Sequence, residues 1–308
     1  MLGHMSRRGW FLFAAMGVIW GVPYLLIKVA VGDLTPAALV FLRTGTGALL
    51  LVPLAATRGA IRPLFGKWRW ILAYSAIEVA LPWFLLSDAE RHISSSLAGL
   101  LVAAVPFMGA LITLLVGGDD RLDLRRSAGL VVGFLGVATL VGFDVSGGSV
   151  PAIAEIAVVT VGYALGPMII ARRLGGIPAV GVVAASLVLT AVVYAPLGVL
   201  QLPARVPDAS VLLAVVALGV VCTALAFLLF FELIAEVGPV RATVITYVNP
   251  AVALALGVLI LREPFTIAAG VGFVLILGGS VLATRRNVAP ARGTRQRAEP
   301  TPVSTAAP

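Results

Sequence analysis

Cysteine and histidine are nearly absent from this 308-residue chain, which has one of the first, Cys222, and two of the second, His4 and His92. A lone cysteine excludes an intrachain disulfide and leaves the redox compartment unreadable. With so few thiol and imidazole groups there is no His/Cys cluster, and neither a GxSxG elbow nor a Walker-type loop occurs. A membrane enzyme would need a nucleophile and base, metal ligands or a phosphate cradle, and none of these has a sequence basis. His92 with Asp88 and Glu90 could hold a metal, but a solvated loop is the simpler reading. No cofactor is implied.

Charge is scarce as well. Only 12% of residues are charged, and they fall in short clusters between apolar runs. The net charge of +8 does not indicate nucleic acid, because the Arg and Lys residues flank apolar segments, where they meet anionic lipid and set orientation.

What the chain has in abundance is apolar sequence: 60% of residues are hydrophobic and the mean hydropathy is +1.07. Runs of membrane-spanning length fall at about 10–31, 36–56, 69–87, 94–117, 125–143, 151–171, 178–200, 209–233, 241–261 and 265–284. The expectation is an all-α integral membrane protein of ten transmembrane helices, with membrane lipid as its solvent. Residues 1–9 form a short basic N-terminus, and residues 285–308, rich in Pro, Ala, Arg and Thr, read as a disordered basic tail. Seventeen of the 22 Lys and Arg residues lie in the N-terminus, the tail and alternate loops, leaving Lys28, Arg43, Arg91, Arg205 and Arg262 on the other side. By the positive-inside rule both termini are expected in the cytoplasm of a plasma or inner membrane.

Two of the runs are broken in the same way. Residues 238–261 carry Asn249-Pro250 at their middle, and residues 94–117 carry Pro106 at a distance of 144. Proline donates no N–H and frees a carbonyl one turn back, which must find a partner in protein or water. Trp20-Gly21 corresponds to Tyr163-Ala164, Asp88 to Glu232 and Asp119 to Glu263 at nearly the same offset. Residues 10–145 and 146–284 therefore read as two five-helix repeats. An odd number of spans turns the second copy upside down, so the halves are expected to be inverted about an axis in the membrane plane. A site on such an axis can open to either side in turn.

The order of motifs resembles the EamA-type permeases of the drug/metabolite transporter superfamily. The residues that carry the likeness are Trp20-Gly21 with Lys28, Pro36 followed by Phe41-Leu42-Arg43, Asn249-Pro250, and Arg262-Glu263-Pro264 running to Gly270. The resemblance covers residues 10–284. It implies a secondary transporter for a small organic metabolite, an amino acid, amine or drug-like compound, moved outward by alternating access. It also implies a cavity lined by spans one, three, four, six, eight and nine, and a structural role for Arg43.

Glu78, in SAIEVALPW, is the one acidic residue the run lengths place near a membrane midplane, with Tyr74, Ser75 and Pro82 on its face. A carboxylate there is costly and seldom idle, so it is a candidate for binding a proton or a cationic group. Its counterpart at offset 144 is Cys222. Trp20, Tyr24 and Lys28 recur every fourth residue, as a stripe on one helix face, and Glu155, Tyr163 and Pro167 make a similar stripe. Rings on a cavity wall stack on planar or cationic substrates, against a bland reading as interfacial belt. Lys28 and Glu155 form a candidate gate pair, with snorkelling as the plain alternative for Lys28. The substrate-binding candidates are Trp20, Tyr24, Glu78, Trp83, Pro106, Tyr163, Thr246, Asn249 and Pro250; Asn249 serves equally as a cap of the distal half-helix. Gly129-x-x-x-Gly133 and Gly270 through Gly278-Gly279 have close-packing spacing.

Overall fold

A computed structural model describes residues 5–115, 124–144, 150–238 and 242–284. The Asp144–Ser149 midpoint beyond its first residue, Asp119, Arg241 and the 285–308 tail lie outside the described residues. Among the described residues there is helix and turn but no strand.

Ten helical elements follow one another: α1 (Arg7–Ala30), α2 (Pro36–Thr57), α3 (Arg62–His92), α4 (Ser95–Leu115), α5 (Leu124–Asp144), α6 (Val150–Arg173), α7 (Ala179–Leu200), α8 (Ala209–Val237), α9 (Val244–Leu259) and α10 (Ile267–Thr284). Seven of them, α1 to α4 and α6 to α8, are long and apolar enough to cross a membrane. The other three contain shorter apolar helices, Ser127–Val141, Val244–Leu259 and Ile267–Ala283. Helix starts are set locally. Ser6, Thr35, Ser94 and Thr266 accept from the backbone N–H of Gly9, Ala38, Leu97 and Ala269, which satisfies donors the first turn leaves open. Gly238, at φ +83°, ends α8 in a conformation other residues rarely adopt.

The third element is longer than its apolar run suggests. The helix continues through Asp88, Glu90 and His92, so these residues belong to α3 and not to a loop. Four helices are irregular, and the irregularities come in pairs. In α3 and α8 a π-bulge occupies Ser75–Ala80 and Val220–Leu225, a displacement of 145. In α4 and α9 the distal pieces are Val105–Leu115 and Asn249–Leu259, each with proline second and displaced by 144.

Helix pairing has the same regularity. Extensive contacts join α5 to α10, α2 to α7, α4 to α9, α3 to α6 and α8 to α1. Exchanging the first five elements for the last five maps this set onto itself. The α5–α10 pair is packed backbone on backbone: a Cβ on Gly279 would lie 2.3 Å from the Gly133 nitrogen, and one on Gly129 would lie 2.5 Å from the Ala283 nitrogen. The glycine spacing thus serves tight helix contact, with dispersion taking the place of a hydrophobic driving force. Gly278, by contrast, faces open space.

Large apolar side chains such as Leu49, Leu50, Val192, Val193, Leu213 and Val274 are exposed. On helices that are apolar all round, this is the surface hydrocarbon covers. Inside, the buried residues gather in three clusters. Tyr163 of α6 packs against two of them.

Candidate functional site

Polar side chains meet where α1, α2, α3, α6 and α8 converge. Arg43 of α2 is 6% exposed. Its Nε donates to Thr223 Oγ1 at 3.1 Å, and its Cζ lies 3.7 Å above the centre of the Trp83 ring. Its partners are thus a hydroxyl and an aromatic face. Thr223 reaches it because the π-bulge of α8 holds Thr223 where Gly219 and Gly47 let α8 and α2 touch; a Cβ on Gly219 would lie 2.6 Å from Thr46 Cβ.

Tyr24 and Tyr163 lie within electrostatic reach of Arg43 and Glu90, and Tyr163 is also within reach of Glu78 and beside Trp83. Three of the expected residues, Tyr24, Trp83 and Tyr163, are therefore brought together with Arg43, and Tyr163 is within reach of Glu78 as well. Glu78 sits in the π-bulge of α3, facing α6. Its Oε2 is sealed from solvent and has no hydrogen-bond partner. The bulge breaks the shared face expected from simple helical spacing: Ser75 turns to α7, where its Oγ donates to the Ser186 carbonyl at 3.1 Å. Tyr194 of α7 donates to the Ala80 carbonyl at 3.1 Å, which satisfies the bulged backbone.

Glu90 is the residue that sequence reasoning missed. It is fully buried, and neither carboxylate oxygen has a hydrogen-bond partner. The charges facing it are Lys28, Glu263 and Arg43. Its neighbours Asp88, Arg91 and His92 made the segment look like a solvated loop. The usable signal was spacing, since Trp83, Leu86 and Ser87 precede it at seven, four and three residues, on the buried side of α3.

The expected gate pair does not form. The Lys28 ammonium donates to the backbone carbonyls of Glu90 and Ile93, the latter at 2.8 Å. Glu155 instead lies beside Asp88 and His92. Lysine has three donors and reaches the nearer carbonyls at the helix end, as snorkelling allows.

The remaining candidates lie on α1, α4 and α9. Trp20 packs on Phe230 and Phe227 of α8, with ring centroids 4.7 and 5.9 Å away. Thr246 belongs to the 3-10 turn Thr243–Tyr247, and Pro106 and Pro250 open the distal pieces of α4 and α9. The Asn249 amide nitrogen donates to the Gly17 carbonyl at 3.1 Å and the Ile245 carbonyl at 3.0 Å. Asn249 thereby ties α9 to α1. Gly17 and Gly21 make that approach possible, since a Cβ on Gly21 would lie 2.5 Å from Val252 Cβ.

At one end of the bundle, Glu263 in the loop after α9 accepts from the Ser95 and Ser96 backbone N–H groups at 2.8 and 2.9 Å and from the Ser96 hydroxyl. Burial works against its charge, but these hydrogen bonds outweigh burial and hold the carboxyl below its ordinary range. A carboxylate at the first turn of α4 also meets the positive end of the helix dipole.

Two halves of like architecture, paired by exchange about a buried polar cluster, match a known family model. The model described as the EamA-like transporter family fits residues 7–142 and again 151–285. The chain belongs to the EamA-like transporter family. As an EamA-like transporter it is a multi-pass membrane protein of the drug/metabolite transporter kind. It is 24% identical over 285 residues to an uncharacterized transporter of Archaeoglobus fulgidus, covering 91% of this chain and 99% of the relative. It is 25% identical over 291 residues to the uncharacterized transporter YvbV of Bacillus subtilis, covering 92% and 94%. A solved crystal structure shares the fold with a TM-score of 0.63 at 24% identity, covering 91% of this chain and 98% of that one.

Proposed function

We propose that this EamA-like transporter moves a small organic metabolite outward across the plasma membrane by alternating access, through a wet cavity at the Arg43, Trp83 and Tyr163 cluster. In this reading all ten helical elements span the membrane, the halves are inverted, and both termini are cytoplasmic. The observation that carries it is the exchange symmetry of the helix pairs. A site near the axis of such a pair of halves is reached from either face by related motions.

Contacts at the helix ends agree with ten crossings. If every element crosses once, the start of α1 shares a face with the end of α8, and Arg8 does pair with Glu232. The α9–α10 loop then shares the opposite face with the start of α4, where Glu263 meets Ser95 and Ser96. Glu78 is proposed as the site that couples transport to protons, since its sealed carboxylate oxygen is a costly group to keep without a task.

Metabolite profiling of cells with and without the protein names substrates without a prior guess, and flux into proteoliposomes then tests them. The reading requires saturable, protein-dependent flux of at least one profiled solute. Lipid flip without solute flux would replace it with a scramblase.

A further inference from the structure

We infer that the transported solute carries a carboxylate, and that Arg43 is the residue that binds it. The inference rests on the central cluster being the transport site.

Arginine has five N–H donors in a planar fork. Among the described residues Arg43 makes one hydrogen bond, from Nε to Thr223 Oγ1, and no ion pair. Its Nη nitrogens donate to no acceptor among the described residues, and they are not sealed off. Arg43 as a residue is 6% exposed, and a charge so placed is tolerated best when it is paired and hydrogen-bonded. One face of the group is occupied, with Trp83 stacked at 3.7 Å. The Thr223 hydroxyl and the Trp83 ring together fix the plane. What remains is the in-plane Nη edge, which matches the two oxygens of a carboxylate.

The protein's own carboxylates do not take that edge. Glu90 is the nearest candidate and faces Arg43 electrostatically, yet both of its oxygens lack a hydrogen-bond partner. Glu78 likewise has a sealed oxygen without a donor. Glu263 and Lys28 are occupied by serine donors and backbone carbonyls. Among the described residues Arg43 is thus a cation with free donors, and Glu90, the carboxyl that faces it, does not reach it. An incoming carboxylate completes Arg43, with Tyr24 and Tyr163 within electrostatic reach of the same guanidinium.

The test uses the purified full chain in detergent and in proteoliposomes, with sets of compounds that share a skeleton: phenylalanine, phenylalaninamide, 3-phenylpropanoate and phenethylamine, and the corresponding leucine set. Thermal unfolding is expected to shift upward with the carboxylate members and not with the amide or amine of the same skeleton. Uptake of the responding carboxylate is expected to fall roughly tenfold to a hundredfold in Arg43→Lys, which keeps the charge but not the fork. Stabilisation and flux by amines or amides, with carboxylates inert, would overturn the inference while leaving the transporter reading intact. Flux of no profiled solute at all would instead count against the transporter reading. The wild-type comparison of acid with amide decides the matter even where Arg43→Lys folds poorly.

Discussion

A Cβ on Gly166 would lie 1.9 Å from Glu78 Oε2 and 2.9 Å from Glu78 Cβ. The glycine of α6 is the seat in which the glutamate of α3 rests. One turn earlier, Gly162 does the same for the backbone, where a Cβ would meet the Ile77 carbonyl oxygen at 2.4 Å. Gly166→Ala is therefore expected to displace Glu78 and part of the π-bulge, because a clash with Cβ is not relieved by turning the end of the side chain. The cost is about 1–3 kcal/mol, as for other overpacked sites. Thermal unfolding should show a lower midpoint, and an unchanged midpoint would mean that Glu78 does not sit against α6.

Glu78→Gln separates proton coupling from folding. Gln fills the same volume against Gly166 but cannot exchange a proton. The variant is expected to purify as a folded protein and to transport at a rate that no longer varies with pH. A pH profile identical to the wild type would remove Glu78 from the coupling role.

Glu263 makes stability depend on pH in a stated direction. Its carboxyl titrates lower in the folded protein than in the unfolded chain, so its stabilisation is complete above the unfolded value of about 4.3. It is lost as pH falls through the lower folded value. The unfolding midpoint of the wild type should fall between about pH 5 and pH 3 more steeply than that of Glu263→Gln. At neutral pH the variant is expected to lose about 1 kcal/mol, allowing for the partial exposure of the group. Gly257→Ala attacks the same contact from the other side, since its Cβ would lie 2.3 Å from Glu263 Oε2.

The places where sequence was readable and where it was not have a common physical cause. Run lengths located the helices because hydrocarbon demands long apolar segments with all backbone bonds internal. The paired prolines were legible because proline alone removes a donor. The π-bulges were not, since SAIEVA and VVCTAL contain nothing that ordinary helix lacks; in the fold the first packs against α6 and α7 and the second against α2. Glu90 was hidden by the charged residues beside it, which signal solvent when only composition is weighed. For Lys28 the sequence left a gate pair and snorkelling side by side, and the backbone carbonyls of Glu90 and Ile93 decide for the second, a choice that only geometry makes.

Asn249 offers a direct separation of a structural from a substrate-binding role. Its amide bridges the carbonyls of Gly17 and Ile245, so Asn249→Ala leaves two buried acceptors without that donor. Unsatisfied carbonyls in a water-poor bundle cost roughly 1–3 kcal/mol. The loss would appear first as loosening between α1 and α9, whose contact rests on Gly17 and Gly21 against Val248 and Val252. The expected outcome is a lower unfolding midpoint with the KM of any identified substrate little changed. A variant of unaltered stability whose KM rises severalfold would show that the amide faces the solute, and that the tie to α1 is incidental.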